Sequence, residues 1–376
     1  MRIAILESIS MPAGHEVEFD RLLIDELKRE GHHPRFFVPQ KFPFKIDYGV
    51  PVDYLSGGEV ITYAGAGKLK KIWLSVMREE RRLSWFNSAF DKASSGLCEA
   101  IIIPTATYRY LRTILKSKLK DSPIPVYFVF HGINPGEQPK FEKYARKCLP
   151  YKNIHLRVIT LRNDFASSNL TNLHLINPPV FKPLSLEAAK ILKAEYPIKI
   201  GFFGQFRKEK NLASFLDAFV KAEFTKPVEL IVQGATAKPE DGEAFEQLKA
   251  AYSRFKNITF WHKNLLGVEW EKALLGVDVV ILPYAAERYR YHWSAMLFTA
   301  IGFYKPVLIS PEINPEVLAE YKIGSAVQVE NEEVFARQLK DFVDLYEANL
   351  EIYNEDLLRA NKEYSHEALI RNILEI

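Results

Sequence analysis

Apolar runs alternate with amphipathic stretches along the whole chain, the pattern of parallel sheets covered by helices. In the first half the runs at 3–6, 34–38, 100–103, 126–130 and 156–160 predict strands. Between the first two, residues 16–30 place Phe19, Leu22, Leu23 and Leu27 on one helical face, and Gly31 ends that helix. The segment 41–67 is rich in Pro, Gly and Tyr and predicts irregular structure. Pro178, Pro179 and Pro183 then mark a stiff connection, after which the pattern restarts. Strands are predicted at 198–203, 228–232, 258–261, 277–282 and 307–309, and Leu212, Phe215, Leu216 and Phe219 mark the buried face of the helix after the first of them. The fold class is therefore α/β: two Rossmann-like, doubly wound halves facing across a cleft. The predicted limits are 1–180 and 181–355, with 356–376 forming a last helix that returns to the first half. No short repeat or low-complexity tract interrupts this plan.

Composition narrows the class. A chain of 376 residues, 48% hydrophobic and 26% charged, has the balance of a globular protein of two ordinary domains. No apolar run approaches the roughly 20 residues that span a bilayer. The start, Met1 to Glu7, turns polar too soon for a signal peptide. Two cysteines, Cys98 and Cys148, lie in no ligand or redox spacing, so a reducing cytoplasm is the expected compartment. Charge is split unevenly. Residues 1–180 hold 26 Lys+Arg against 18 Asp+Glu, whereas 181–376 hold 24 against 29. The first half thus faces an anionic partner more readily than the second.

The richest stretch is Leu282-Pro283-Tyr284-Ala285-Ala286-Glu287, followed by the loop 289–294 and closed by Lys305-Pro306-Val307. A strand, loop, helix, strand order puts that loop at the carboxyl edge of a parallel sheet, where open α/β folds bind ligands. Ser294 is a natural helix N-cap. The amides behind it also favour an anion, so a phosphorylated ligand is expected there. An earlier turn has matching chemistry: Gly204 follows the first strand of the second half, and Arg207, Lys208 and Lys210 follow Gly204. That turn is either a solvated Lys-rich loop or a diphosphate cradle. Its placement relative to Pro283 favours the cradle.

Gly-x-x-x-x-x-Lys-Asn at Gly204 to Asn211, Leu-Pro-Tyr-x-x-Glu at 282–287, and Ser294 followed by Lys305-Pro306-Val307 resemble the retaining glycosyltransferases of the GT-B fold, family 4. The resemblance is clearest over 198–310. Upstream it is looser, through Gly14-His15-Glu16 and the strand ending at His131. It implies that Gly204 and Lys210 bind a donor diphosphate and that Glu287 lies beside the donor sugar. Two departures stand out. The family usually has Arg directly after the glycine, where this chain has Gln205, with Arg207 as the substitute cation. A second family glutamate grips the ribose. Its place falls on Thr299 counting back from Lys305, or on Ala295 counting eight residues from Glu287.

The remaining candidates are weaker. Tyr289 belongs to an aromatic, basic loop that is either a donor-sugar lid or plain surface. His131 either bonds a backbone carbonyl or contacts the transferred sugar, as the resemblance implies. Gly14 and His15 lie after the first strand, where an acceptor or phosphate could approach the backbone. Trp261 reads as core. Leu69, Ile72, Trp73, Val76 and Met77 recur at helical spacing among Lys68, Lys70, Lys71, Arg78, Arg81 and Arg82. Such a helix either lies on an anionic membrane or packs its stripe in the core, and the second arrangement is the commoner. Lys116, Lys118 and Lys120 add a second basic run.

Several chemistries are excluded by their missing signatures. No Cys/His cluster has zinc spacing, no Asp-x-Asp pair is present, and there is neither a Walker loop nor a nucleophile elbow. Nucleic-acid binding has only diffuse basic charge behind it. The leading expectation is a metal-independent, cofactor-free, hexosyltransferase-like enzyme. It would move a sugar from a nucleoside diphosphate donor to a hydroxyl of a glycan or lipid-linked acceptor, as in polysaccharide biosynthesis. A non-catalytic sugar-nucleotide or glycan binding protein of the same fold is the alternative, and a sugar phosphorylase the third.

Overall fold

A computed structural model describes residues 1–9, 15–62, 67–162, 170–183 and 195–375, without the side chains of residues 15, 16 and 68. The chain divides into two units: Met1–Asn177 with His366–Ile376, and Pro178–Ser365.

In the first unit the described strands are β1 (Arg2–Leu6), β2 (His33–Pro39), β3 (Val52–Leu55), β4 (Ala100–Ile103), β5 (Val126–Phe130), β6 (Ile154–Ile159) and β7 (Leu173–Ile176). They form one parallel sheet in the order β3-β2-β1-β4-β5-β6-β7. Parallel pairing demands crossovers, supplied by α1 (His15–Arg29), α2 (Lys68–Ser94), α3 (Tyr108–Ile114) and α4 (Gln138–Cys148). Every residue of β4 and β5 is buried, as expected of central strands covered on both faces. Trp85, Phe86 and Ala89 of α2 and Phe141 and Cys148 of α4 pack in one core with Ile101, Ile103 and Phe128. Each large apolar side chain buried this way contributes about 1.5–3 kcal/mol. Cys98 and Cys148 belong to that core, and burial pushes their thiols up to about 11 and about 12.

The unit is completed by the far end of the chain. Helix α12 (His366–Leu374) packs on α1, β5 and β7. The last carbonyls of any helix lack internal partners. Here Arg157, fully buried on β6, donates through Nε to the Asn372 and Ile373 carbonyls at 2.9 and 3.1 Å. The Tyr127 hydroxyl donates to the Leu374 carbonyl at 3.2 Å, and Glu375 pairs with Arg157 at 2.6 Å. A cation at a helix C-terminus also complements the helix dipole. The returning segment therefore starts at His366 rather than 356, because the preceding helix stays with the second unit.

That second unit carries β8 (Ile198–Phe202), β9 (Val228–Gln233), β10 (Ile258–Trp261), β11 (Val279–Leu282), β12 (Val307–Ile309) and β13 (Gly324–Ala326). The sheet is parallel, in the order β10-β9-β8-β11-β12-β13. Its helices are α5 (Leu212–Lys221), α6 (Pro239–Tyr252), α7 (Gly267–Leu275), α8 (Ala295–Gly302), α9 (Pro315–Glu320), α10 (Glu332–Leu345) and α11 (Leu350–Glu363). Leu212, Phe215, Leu216 and Phe219 are buried on α5 as their spacing predicts. Helix α11 packs on α8, where Asn361 donates to the Ile301 carbonyl at 2.6 Å. In both sheets strand order reverses beside the first strand, so the second unit has its switch point between β8 and β11. Among the described residues no helix is long and apolar enough to cross a membrane.

Candidate functional site

The carboxyl ends of β8 and β11 are where an open parallel sheet of this order holds its ligand. From β8 the chain enters Gly204, whose φ of 104° favours a residue without a side chain. A Cβ at that position would come within 3.1 Å of Lys210 Nζ. Gln233, buried at the end of β9, fixes the turn: its Oε1 accepts from the Gly204 amide at 2.8 Å while its Nε2 donates to the Lys263 carbonyl at 2.5 Å. Gln205 adds a bridge to Ala235, and the Ala235 amide donates to the Gly204 carbonyl at 3.1 Å.

The loop then folds back as a short 3-10 turn over Lys208–Lys210, and α5 begins only at Leu212 after Asn211 in the left-handed conformation. The basic turn thus lies between Gly204 and the first amides of α5. Arg207 donates to Gln205 Oε1 at 2.8 Å and lies 3.6 Å from Glu209. The guanidinium is therefore gathered against the position where the resembled family carries its arginine.

Lys210 is the unusual group. Only 8% of it is exposed, and its Nζ lies 4.8 Å from the Tyr284 ring centroid. No ion pair to it is formed among the described residues. Burial lowers its pKa to about 7, and the fields of Arg207 and Arg288 press in the same direction against Glu209. A buried ammonium beside two guanidiniums is a costly arrangement unless an anion completes it.

The β11 side joins directly. The Ala285 amide donates to the Glu209 carbonyl at 3.0 Å, and the Ser310 hydroxyl donates to the Tyr284 carbonyl at 2.5 Å. Buried Ser294 caps α8 by accepting from the Leu297 amide at 3.4 Å. Its own amide donates to Asn314 Oδ1 at 2.9 Å, and Asn314 Nδ2 donates to the Tyr289 carbonyl at 3.4 Å. Gly204, Gln205, Arg207, Lys210, Tyr289 and Ser294 thereby share one bonded neighbourhood. Glu287 opens the 3-10 turn Glu287–Arg290, is exposed, and accepts from the Tyr291 hydroxyl at 3.2 Å.

Other expectations change. Thr299 is buried, and its hydroxyl donates to the Ala295 carbonyl at 2.8 Å, so it turns into its own helix instead of toward the loops. Tyr289 and Trp293 are buried, the first 5.1 Å from Tyr284 and the second stacked on Phe181 at 5.9 Å, so neither is a free lid. Trp261, read as core, is half-buried. In the first unit His131 Nε2 bonds the Pro104 carbonyl at 2.8 Å and its ring sits edge-on to Phe19 at 4.5 Å, the structural arrangement. Gly14 lies outside the described residues, and His15 opens α1 with its side chain outside them.

Three supporting residues were missed. Gln233 is a polar residue closing an apolar strand, a readable signal. Asn314, left-handed and directly before Pro315, is another. The third is Arg288, whose guanidinium sits 4.8 Å from the Tyr289 ring, donates to that hydroxyl at 3.0 Å, and acts on Lys210.

Known proteins resemble the chain in part of its sequence and in its fold. Residues 186–356 match the family profile described as glycosyl transferases group 1. Among curated proteins no sequence matches the chain. A glycosyltransferase from Rickettsia africae ESF-5 is similar with a TM-score of 0.71 at 12% identity, covering 100% of this chain and 97% of that one. Anabaena Alr3699/HepE in complex with UDP gives 0.69 at 13% identity, covering 100% and 99%. A sucrose-phosphate synthase from Thermosynechococcus elongatus gives 0.66 at 16% identity, covering 100% and 98%. The two units accordingly have the fold of GT-B glycosyltransferases, and the match to the glycosyl transferases group 1 profile falls within the second of them.

Proposed function

We propose that this protein is a retaining, metal-independent glycosyltransferase that takes a sugar from a nucleoside diphosphate donor and passes it to a hydroxyl acceptor. The observation that carries the reading is Lys210: a buried ammonium, lacking an anionic partner among the described residues, at the switch point of the sheet. A diphosphate supplies the missing charge. Arg207 and the first amides of α8 add positive potential around it. Such preorganised charge matters most as the sugar–phosphate bond breaks and negative charge collects on the leaving diphosphate. Glu287, exposed on the adjoining turn, has among the described residues an acceptor oxygen left for donor-sugar hydroxyls beyond its contact with Tyr291.

Anabaena Alr3699/HepE, a neighbour of the same fold, is solved in complex with UDP and with UDP-glucose, so UDP-sugars are the first donors to test, followed by ADP- and GDP-sugars. Thermal shift of wild type against Lys210→Ala should single out one nucleoside diphosphate that stabilises only the wild type. No stabilisation by any of them would overturn the reading. Ala295, standing at one of the two places counted for the second glutamate, favours the alternative of a binding protein. Donor binding with no nucleoside diphosphate released under any acceptor would establish that alternative, and consumption of orthophosphate in place of nucleotide would indicate a phosphorylase.

A further inference from the structure

Helix α2 has two apolar faces, and only one meets the core. Arg82, Trp85, Phe86, Ala89 and Ala93 are buried and anchor its second half in the first unit. Leu69, Ile72, Trp73 and Val76, in its first half, are 85, 65, 59 and 54% exposed. Their spacing puts them on one stripe, and at about 100° of turn per residue that stripe points away from the anchoring face. It is therefore no extension of the core contact, which corrects the commoner arrangement of such helices.

The charge around the stripe is of one sign. Residues 67–78 hold Lys68, Lys70, Lys71 and Arg78 and no acid. Lys70 and Lys71 are exposed. The nearest carboxylate along the helix, Glu79, is taken by Arg112 at 2.7 Å and Arg82 at 3.4 Å. Lys118 instead reaches Asp91 near the other end of α2, so the second basic run does not join the stripe.

An indole and three aliphatic side chains backed by lysines have the chemistry of an anionic lipid interface. The apolar groups enter the headgroup boundary, the indole sits at its polar edge, and the ammoniums meet the phosphates. Four side chains on one convex helix fall far short of the roughly 20–30 residues per side of a stable protein interface. We propose that the first half of α2 docks this protein on an anionic membrane surface. The inference is independent of the transfer reading.

The test is co-sedimentation of the full chain with vesicles of phosphatidylcholine alone and of phosphatidylcholine mixed with phosphatidylglycerol. Binding is expected to the mixed vesicles and to fall with added salt. Lys70→Glu with Lys71→Glu should weaken it about tenfold or more, and Ile72→Glu with Trp73→Glu should remove it. All four positions are exposed, so unchanged melting temperatures will show that these variants fold. Absence of binding to mixed vesicles, or binding kept by the Ile72/Trp73 variant, overturns the proposal. So does a concentration-dependent dimer abolished by the same pair, which would make the stripe a contact between copies. Nucleotide binding in solution, measured in parallel, is expected to be the same in every variant.

Discussion

The ammonium of Lys210 and the backbone of Gly204 stand so close that a single methyl group on the glycine would lie 3.1 Å from the nitrogen. The turn at the end of β8 leaves room for the ammonium only because residue 204 has no side chain, and two consequences can be measured.

The first concerns protons. The pKa of Lys210 falls from 10.5 to about 7 on folding. Between those values the unfolded chain binds the extra proton and the folded one does not, so this residue makes the free protein more stable as pH rises through that window. Below pH 7 its full penalty is present. Lys210→Met should therefore melt higher than wild type at pH 6, with the gap closing toward pH 9. A bound diphosphate would return the proton. Calorimetry at pH 8 in buffers of different ionisation enthalpy should show roughly one proton taken up per donor bound, and none in Lys210→Met. Equal heats in all buffers for the wild type would count against the site.

The second concerns the turn itself. Gly204→Ala forces a side chain into a left-handed backbone and against the ammonium, and should cost about 1–3 kcal/mol in urea unfolding. Gln233→Leu, which strips the partners from the Gly204 amide and the Lys263 carbonyl, should cost a similar 1–3 kcal/mol or so. Both should weaken nucleotide binding at pH 7. A stable Gly204→Ala variant with wild-type affinity would show that the turn does not hold the ligand.

Glu287 separates chemistry from stability. It is exposed and, among the described residues, bonded only to Tyr291. Glu287→Ala should leave unfolding within about 0.5 kcal/mol of wild type while lowering turnover about 100-fold or more. Unchanged turnover removes it from the site.

Arg157 gives a prediction far from that site. Replacing it with Met would leave the Asn372 and Ile373 carbonyls without their donor. A loss of about 3 kcal/mol is expected. Hydrogen exchange should locate the first weakening in α12, and protection of that helix equal to wild type would refute the role.

The central strands were legible because burial on both faces writes an unbroken apolar run. Strands β4 and β5 carry such runs over their full length. Of the four edge strands only β10, at 258–261, was legible; β3, β7 and β13 were not. Gly324–Ala326 has no large apolar side chain, and Val52–Leu55 and Leu173–Ile176 each bury only one residue. At the site, Gly204, Lys210 and Ser294 could be read because strand-end spacing and capping chemistry are local. Gln233 and Asn314 could be noticed as a polar strand end and an Asn before Pro, but the distant backbone groups they bind could not be read from spacing. Thr299 was placed by counting along the chain. A helix turns about 100° at each residue, so the count preserved distance and lost direction. The α2 stripe shows the same limit: periodicity identifies a face without saying what it meets.

Helix α12 has a consequence for how the protein is made. On the ribosome, the whole of the second unit is synthesised before residues 366–375 arrive to cover α1 and seat their terminal carbonyls on Arg157. The first unit therefore waits, unfinished, while its successor completes itself. A stop codon that spares all of the second unit would still strip the first of the helix that covers α1 and of the carbonyls that Arg157 binds.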